Sequence, residues 1–182
     1  GVECMSRAPW AMMKPERLPT TSPPKMWDTT VGWRFNNAKM DEMYPIVSLG
    51  EGAEIIAEEM QISRDDQDAY SLESHSRAIA AINDGKFKDE IIEISVPQRR
   101  GDPVVVDTDE HPRYEKSNGK YEMAIDTESL AKLRPAFKKD GSVTAGNSSG
   151  INDGAAALLL ASRDKAEELG LKPLLRWVGS AS

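Results

Sequence analysis

Thr144-Ala145-Gly146-Asn147-Ser148-Ser149-Gly150-Ile151-Asn152-Asp153-Gly154 is the stretch whose reading decides the fold. Three glycines, two asparagines and two serines in eleven residues make a shaped loop, not a packed strand or helix. Gly admits positive φ and lets other groups come close to the backbone. Asn and Ser side chains bond their own main chain and hold turns. The loop feeds the most apolar run of the chain, Ala155 to Ala161, which reads as a buried strand. Main chain in such a loop is a good surface for a ligand to lie against. An ordinary turn before a core strand has the same composition, and composition does not separate the two.

Just before the loop, Ser142-Val143-Thr144 is strand-like, and Arg134-Pro135-Ala136-Phe137 ends a short helix over 127–133 with Asp126 or Thr127 as its cap. Further out lies a polar span, 109–123, with Asn118-Gly119 as a turn signal. Glu90 to Val96 and Val104 to Val106 read as strands joined by a turn through Arg99 and Arg100. Ser63, with Asp66 three residues on, opens a helix over 64–84 that Gly85 stops. Its expected face is Ala69, Leu72, Ser76, Ile79, Ala80 and Asn83. A second helix over 50–60, entered through Gly50 and Gly52, has Ala53, Ile56, Ala57 and Met60 on one face. Glu51 and Glu54 in its first turn satisfy the helix dipole.

Residues 8–43 show neither a helical nor a strand period. Pro9, Pro15, Pro19, Pro23 and Pro24 break the segment into turns and extended pieces. Trp10, Met12, Met13, Met26, Trp27, Trp33 and Phe35 are apolar anchors, either for a loop pinned to the surface or for a subunit contact or pocket rim. Residues 1–7 read as the end of a strand entering a loop. After the loop, Ser162 caps a helix over 163–169 stopped by Gly170, and Leu174 to Gly179 reads as a further strand.

Composition narrows the function classes. The chain has 182 residues, 39% of them hydrophobic, and a net charge of −7. That balance argues against general nucleic-acid binding, which needs a basic face, and against a polybasic membrane contact. No run approaches the ~18 apolar residues of a spanning helix, and the first residues have no signal-peptide pattern. One cysteine, Cys4, allows no internal disulfide, so a reducing cytoplasm is the expected compartment. The chain starts at Gly1 without Met and ends in strand-like residues, so it reads as an internal segment of a longer protein.

Catalytic chemistry is not evident. There is no Gly-x-Ser-x-Gly elbow and no Cys/His pairing for zinc. His75, on a helix, and His111, in a polar loop, have no metal-spaced partner, and His75 reads as a surface or packing residue. The acidic pairs Glu58-Glu59 and Asp65-Asp66 read as solvated faces. Arg113 is a candidate phosphate contact or an ordinary exposed arginine.

Taken together and in order, several stretches resemble the thiolases (acyl-CoA acetyltransferases). They are Gly1-Val2-Glu3-Cys4-Met5-Ser6, Ser63-Arg64-Asp65-Asp66-Gln67-Asp68, Gly85-Lys86-Phe87-Lys88-Asp89-Glu90-Ile91, Leu133-Arg134-Pro135-Ala136-Phe137, and the loop itself through Ala157. The resemblance implies a partial thiolase-like α/β fold. Residues 1–7 are the end of a strand of the N-terminal half. Residues 8–141 form an inserted, coenzyme-A-covering loop domain of helices, short strands and long irregular segments. Residues 142–173 supply the last loop, strand and helix of the N-terminal half, and 174–182 begin the C-terminal half.

The resemblance also implies acyl transfer between coenzyme A thioesters through a cysteine acyl-enzyme. Examples are two acetyl-CoA to or from acetoacetyl-CoA, and thiolysis of 3-ketoacyl-CoA. Coenzyme A enters as a substrate, with no prosthetic group. Ser149 matches a serine that bonds the pantetheine arm, Ala145 and Phe137 lie along the pantetheine and adenine path, and Ser129 lies near the adenine. Arg113 is near the nucleotide, and Leu49 stands where a Met often lines the acyl pocket. Arg99, Arg100 and Arg113 would give the anionic cofactor a basic rim. Gly52 replaces a common Thr. Cys4 is not the family's nucleophile, and neither the Gly-His-Pro-type nor the Cys-x-Gly-Gly-type motif occurs, so this segment alone is expected to be inactive. Asp28 to Phe35 resembles degradative members, including 3-oxoadipyl-CoA thiolases, and Ala8 to Asp28 matches the place of tetramer contacts. The family implies a homodimer or homotetramer at full length. The alternative is a non-catalytic acyl-CoA-binding or interaction module.

Overall fold

Seen in a computed structural model that describes residues 1–15 and 23–181, the chain is built around two helices, α2 (Leu49–Glu59) and α3 (Arg64–Asn83). Pro19 and the other turn positions expected over 16–22 lie outside the described residues. Local chemistry fixes both helix starts. The Ser48 hydroxyl accepts from the Glu51 amide while the Glu51 carboxylate accepts from the Ser48 amide, a reciprocal capping box. Ser63 Oγ accepts from the Asp66 amide at 3.0 Å. Asn37, Asp126 and Ser162 cap the shorter helices α1 (Ala38–Met43), α4 (Thr127–Ala131) and α5 (Arg163–Glu168) in the same way.

Among the described residues the strands form four antiparallel two-stranded pairs. β1 (Val2–Glu3), followed by a 3-10 turn over Met5–Arg7, pairs with β8 (Gly154–Ala155). β2 (Trp10–Met12) pairs with β3 (Met26–Asp28), and β4 (Ile94–Val96) with β5 (Val104–Val106). β6 (Tyr114–Ser117) and β7 (Lys120–Met123) close through Asn118 and Gly119 at φ 50° and 78°. Positive φ at both central residues is what a tight primed turn demands. β7 lies on α3, where Asn83 exchanges hydrogen bonds with the Tyr121 backbone at 2.8 and 2.9 Å.

The core is small: Ala57, Ile79, Leu130, Val143 and Ala166 are its buried apolar residues. Several expectations need correction. Residues 8–43 hold a hairpin (β2–β3) and a helix (α1) that no periodicity announced, because a three-residue strand and a six-residue helix are too short to show a period. On α2, Ala53, Ile56 and Met60 are exposed, and Glu54 and Ala57 are the buried positions. On α3 the inward line runs through Asp68, Ser71, Leu72, His75 and Ile79, while Ala69, Ser76 and Ala80 face out and Asn83, though exposed, turns its amide to β7.

The buried strand expected over Ala155 to Ala161 is a strand only at its first residue. Leu158, Leu159 and Leu160 are 91%, 81% and 74% exposed. β1 offers only two residues to pair with, and among the described residues no layer packs on the run. Leu174 to Gly179 is likewise exposed and forms no strand.

Candidate functional site

The loop over 144–154 is held from beneath by two carboxylates. Glu54, 5% exposed, accepts from the amides of Ser142 (2.9 Å) and Val143 (2.8 Å) and from the Ser142 hydroxyl. Burial pushes its carboxyl up, but these donors and nearby Lys138 outweigh that and hold it below its ordinary value. Asp68, 4% exposed, is pinned by the Arg64 guanidinium at 2.7 Å and accepts from Asn147 Nδ2 at 2.9 Å. Arg64 also donates to the carbonyls of Leu130 and Leu133.

Asn147 is the pivot. Its Oδ1 accepts from the Thr144 amide at 2.7 Å, and its Nδ2 donates to Asp68 and to the Ser142 carbonyl. The Ser71 and Ser148 hydroxyls donate to the Gly146 and Thr144 carbonyls. Thr144 is fully buried at 0% exposure. These bonds satisfy the loop's inner polar groups within the protein, as burial requires. Gly146 is needed by packing, because a Cβ there would run into the side chains of Leu130 and Leu133.

With the inner face occupied, Ala145 and Ser149 are left exposed on the outer one. The segment through Phe137 runs antiparallel beside the loop. Pro135 bridges Thr144, and the Ala136 amide donates to the Val143 carbonyl at 2.9 Å. Phe137 is 43% exposed, with its ring against Gly50, and Leu49, the residue before Gly50, is 97% exposed. Phe137 also lines an open cavity of about 380 Å³ with Arg134, Pro135, Ala136, Lys138, Lys139 and Asp140.

The basic groups beside Phe137 are thus Arg134, Lys138 and Lys139, whereas Arg99 and Arg100 sit exposed in the β4–β5 turn. Lys138 pairs with Glu58. Ser129 is exposed at the start of α4. Its hydroxyl is engaged in the cap, accepting from the Asp126 amide at 3.0 Å and donating to the Asp126 carbonyl at 2.8 Å. Arg113 is exposed, and its amide donates to His75 Nδ1 at 3.3 Å. His75 is half-buried, as a packing histidine, with the His111 ring 5.8 Å away.

At the loop's far end Asp153 accepts from the Ser6 amide (2.8 Å) and hydroxyl (2.6 Å), which holds its carboxyl below the ordinary value and ties the loop to the turn after β1. Cys4, beside it in sequence, is exposed. Among the described residues no group of three or more His, Cys, Asp or Glu is placed to hold a metal ion, and no helix is long and apolar enough to cross a membrane.

Sequence reasoning missed Glu54, Arg64, Asp68 and Asn147 as the loop's supports. The signal was present in two places. Glu54 stands three residues before Ala57 on the inward face of α2, and Arg64 and Asp68 have i,i+4 spacing at a capped helix start. A carboxylate on an inward face needs donors, and a glycine-rich loop has spare amides.

Residues 1–164 match the family model described as the thiolase N-terminal domain. A beta-ketoadipyl-CoA thiolase of Acinetobacter baylyi is 45% identical over all 182 residues, which span 43% of that protein. An acetyl-CoA acetyltransferase of Pseudomonas aeruginosa is 52% identical over 134 residues, 74% of this chain and 32% of the relative. The crystal structure of the Bacillus anthracis acetyl-CoA acetyltransferase superposes with a TM-score of 0.75 at 40% identity, covering 96% of this chain and 40% of that one. The chain thus spans under half the length of the relatives it matches. Its mix of capped helices and short strands is shared with solved thiolase-fold structures, and by family match and identity the chain belongs to the thiolases.

Proposed function

We propose that this chain supplies coenzyme-A-binding elements of a thiolase, an acyltransferase that moves an acyl group between coenzyme A thioesters. The observation that carries the reading is the loop's two-sidedness. Its inner face is tied down by Glu54, Asp68 and Asn147, while Ala145 and Ser149 stay free on the outer face, beside the Phe137 strand. A loop whose shape is set before the ligand arrives loses little entropy on binding. Ser149 would bond the pantetheine arm, Ala145 and Phe137 would flank it, and Ser129 and Arg113 would lie toward the nucleotide. Leu49 would border the acyl group. Arg134 and Lys139 are the cations beside Phe137 available to an anionic cofactor.

In the whole protein, a cysteine outside this chain would take the acyl group as a thioester, dividing one hard transfer into two easier ones. Binding the coenzyme by its arm, away from the reacting sulfur, would help align that thioester. The favoured substrates are 3-ketoacyl-CoA thioesters. The match of all 182 residues to 43% of a beta-ketoadipyl-CoA thiolase and the character of Asp28 to Phe35 support the degradative class. The exposed Trp10, Met12 and Met26 of the β2–β3 hairpin fit a subunit contact in a dimer or tetramer. The domain division given above, with residues 8–141 as the coenzyme-covering part, belongs to the same proposal.

Calorimetric titration of coenzyme A into the 182-residue chain tests it. Binding is expected, with Ser149→Ala weakening it about five- to tenfold, the worth of one hydrogen bond. Absence of binding at millimolar coenzyme A would overturn the reading. Thiolysis of acetoacetyl-CoA by this chain is expected at background. Turnover would show that chemistry resides in it, and binding without turnover in a protein complete at 182 residues would favour a non-catalytic acyl-CoA-binding module.

A further inference from the structure

The two histidines meet behind the outer end of the loop. His75 comes from the inward line of α3 and His111 from the segment before β6, and their rings stand 5.8 Å apart. His111 is seated directly against the loop, since a Cβ placed on Gly150 would lie 2.7 Å from its Nδ1 and 3.0 Å from its Cε1. Only a glycine lets the imidazole come this close to the main chain. The next residue toward the N-terminus is Ser149.

His75 Nδ1 accepts the Arg113 amide, so the imidazole is neutral with its proton on Nε2. A second proton on His75 would go to Nδ1 and face that N–H donor directly. We propose that His111, seated on Gly150 and braced by His75, is a positioning residue for the Ser149 contact, and that protonating His75 loosens it. The inference rests on the coenzyme A reading of Ser149.

The influences on His75 all act in one direction, while on the other side Glu110 is the carboxylate next to His111 in sequence. Burial comes first and the positive neighbours His111 and Arg113 follow, and together they hold His75 below its ordinary value. The loop side offers Gly150 main chain and the Asn152 amide side chain, neither of them charged. On α3 itself, Glu73 and Arg77 pair with each other at 2.7 Å, and Asp153 is engaged by Ser6. Among the described residues neither histidine makes an ion pair with a carboxylate. A histidine lowered in the folded state favours that state above its ordinary value of ~6.5, and the benefit is lost as pH falls through the lowered one. Acidification therefore works against this arrangement.

The test follows the labelled 182-residue chain by NMR from pH 8 to pH 5, with pantetheine as probe because it carries no titrating phosphate. The Ser149 and Gly150 amides are expected to shift with the histidine ring protons. Pantetheine should bind about three- to tenfold more weakly at pH 5.5 than at pH 7.5, a histidine-linked change of ordinary size. His75→Gln and His111→Gln should each flatten both responses, with unchanged amide spectra elsewhere verifying the fold. Amides indifferent to the histidines, or a pH slope kept in His111→Gln, would overturn the proposal. Amides that follow the histidines without pantetheine binding at either pH would support the prop and sink the coenzyme A reading instead.

Discussion

Residues 142–148 and residues 155–161 make an instructive pair. The first stretch is polar and glycine-bearing, yet it holds the fully buried Thr144 and the buried Val143. The second is the most apolar run in the sequence, yet its three leucines are 74–91% exposed. Burial follows partnership, not hydropathy. The loop has Glu54, Asp68, Asn147 and Ser71 to absorb its amides and carbonyls, so desolvating it is affordable. Within this chain, which spans 43% of a thiolase relative's length, the leucine run has only the two residues of β1 beside it, and hydrophobic gain requires a surface to be buried against.

Removing a support should strain this contrast most. Glu54→Ala orphans the Ser142 and Val143 amides at about 1–3 kcal/mol each, so a stability loss of about 3 kcal/mol is expected in urea unfolding. A change under about 0.5 kcal/mol would mean that the loop holds itself. Crowding the loop comes next. Gly146→Ala drives a methyl group into Leu130 and Leu133, for an expected loss of about 1–3 kcal/mol by thermal denaturation.

Acid sharpens the comparison from the electrostatic side. Glu54 is held below its ordinary value, so its contribution is complete above ~4.5 and is lost as pH falls through the lowered one. Urea midpoints should fall between pH 5 and pH 3, and Glu54→Gln should fall less steeply over that range while starting from a lower midpoint. The smallest effect belongs to the leucine run. Leu159→Ser should move stability by less than about 0.5 kcal/mol, and the amides of Leu158 to Leu160 should exchange with solvent far faster than those of Val143 and Thr144. A large loss at Leu159 would show that the run is packed in solution, and the contrast would collapse.

Much of the frame was legible locally. Ser63, Asp126 and Ser162 announced their helices because a cap is a short-range bond between neighbours, and Asn118-Gly119 announced its turn, though not the strands on either side, because positive φ suits few residues. The ordered motifs carried the family, which the match over residues 1–164 bears out. The supports of the site were not legible. Glu54 reads as a first-turn acid and Asp68 as one more carboxylate on a charged helix, until segments 75–90 residues away are folded onto them.

The sequence by itself determined where elements start and stop, which loop has the freedom to be shaped, and which family the chain joins. These depend on neighbouring residues or on motif order, and both survive in one dimension. Only the tertiary structure decided which face of the loop is sealed and which is open, that Glu54 and Asp68 hold it, that His111 sits on Gly150, and that the leucine run is bare within this chain. Each of those turns on a donor and an acceptor, or two apolar surfaces, meeting across a long stretch of chain. A hydrogen bond or a buried contact stabilises only when both halves are present.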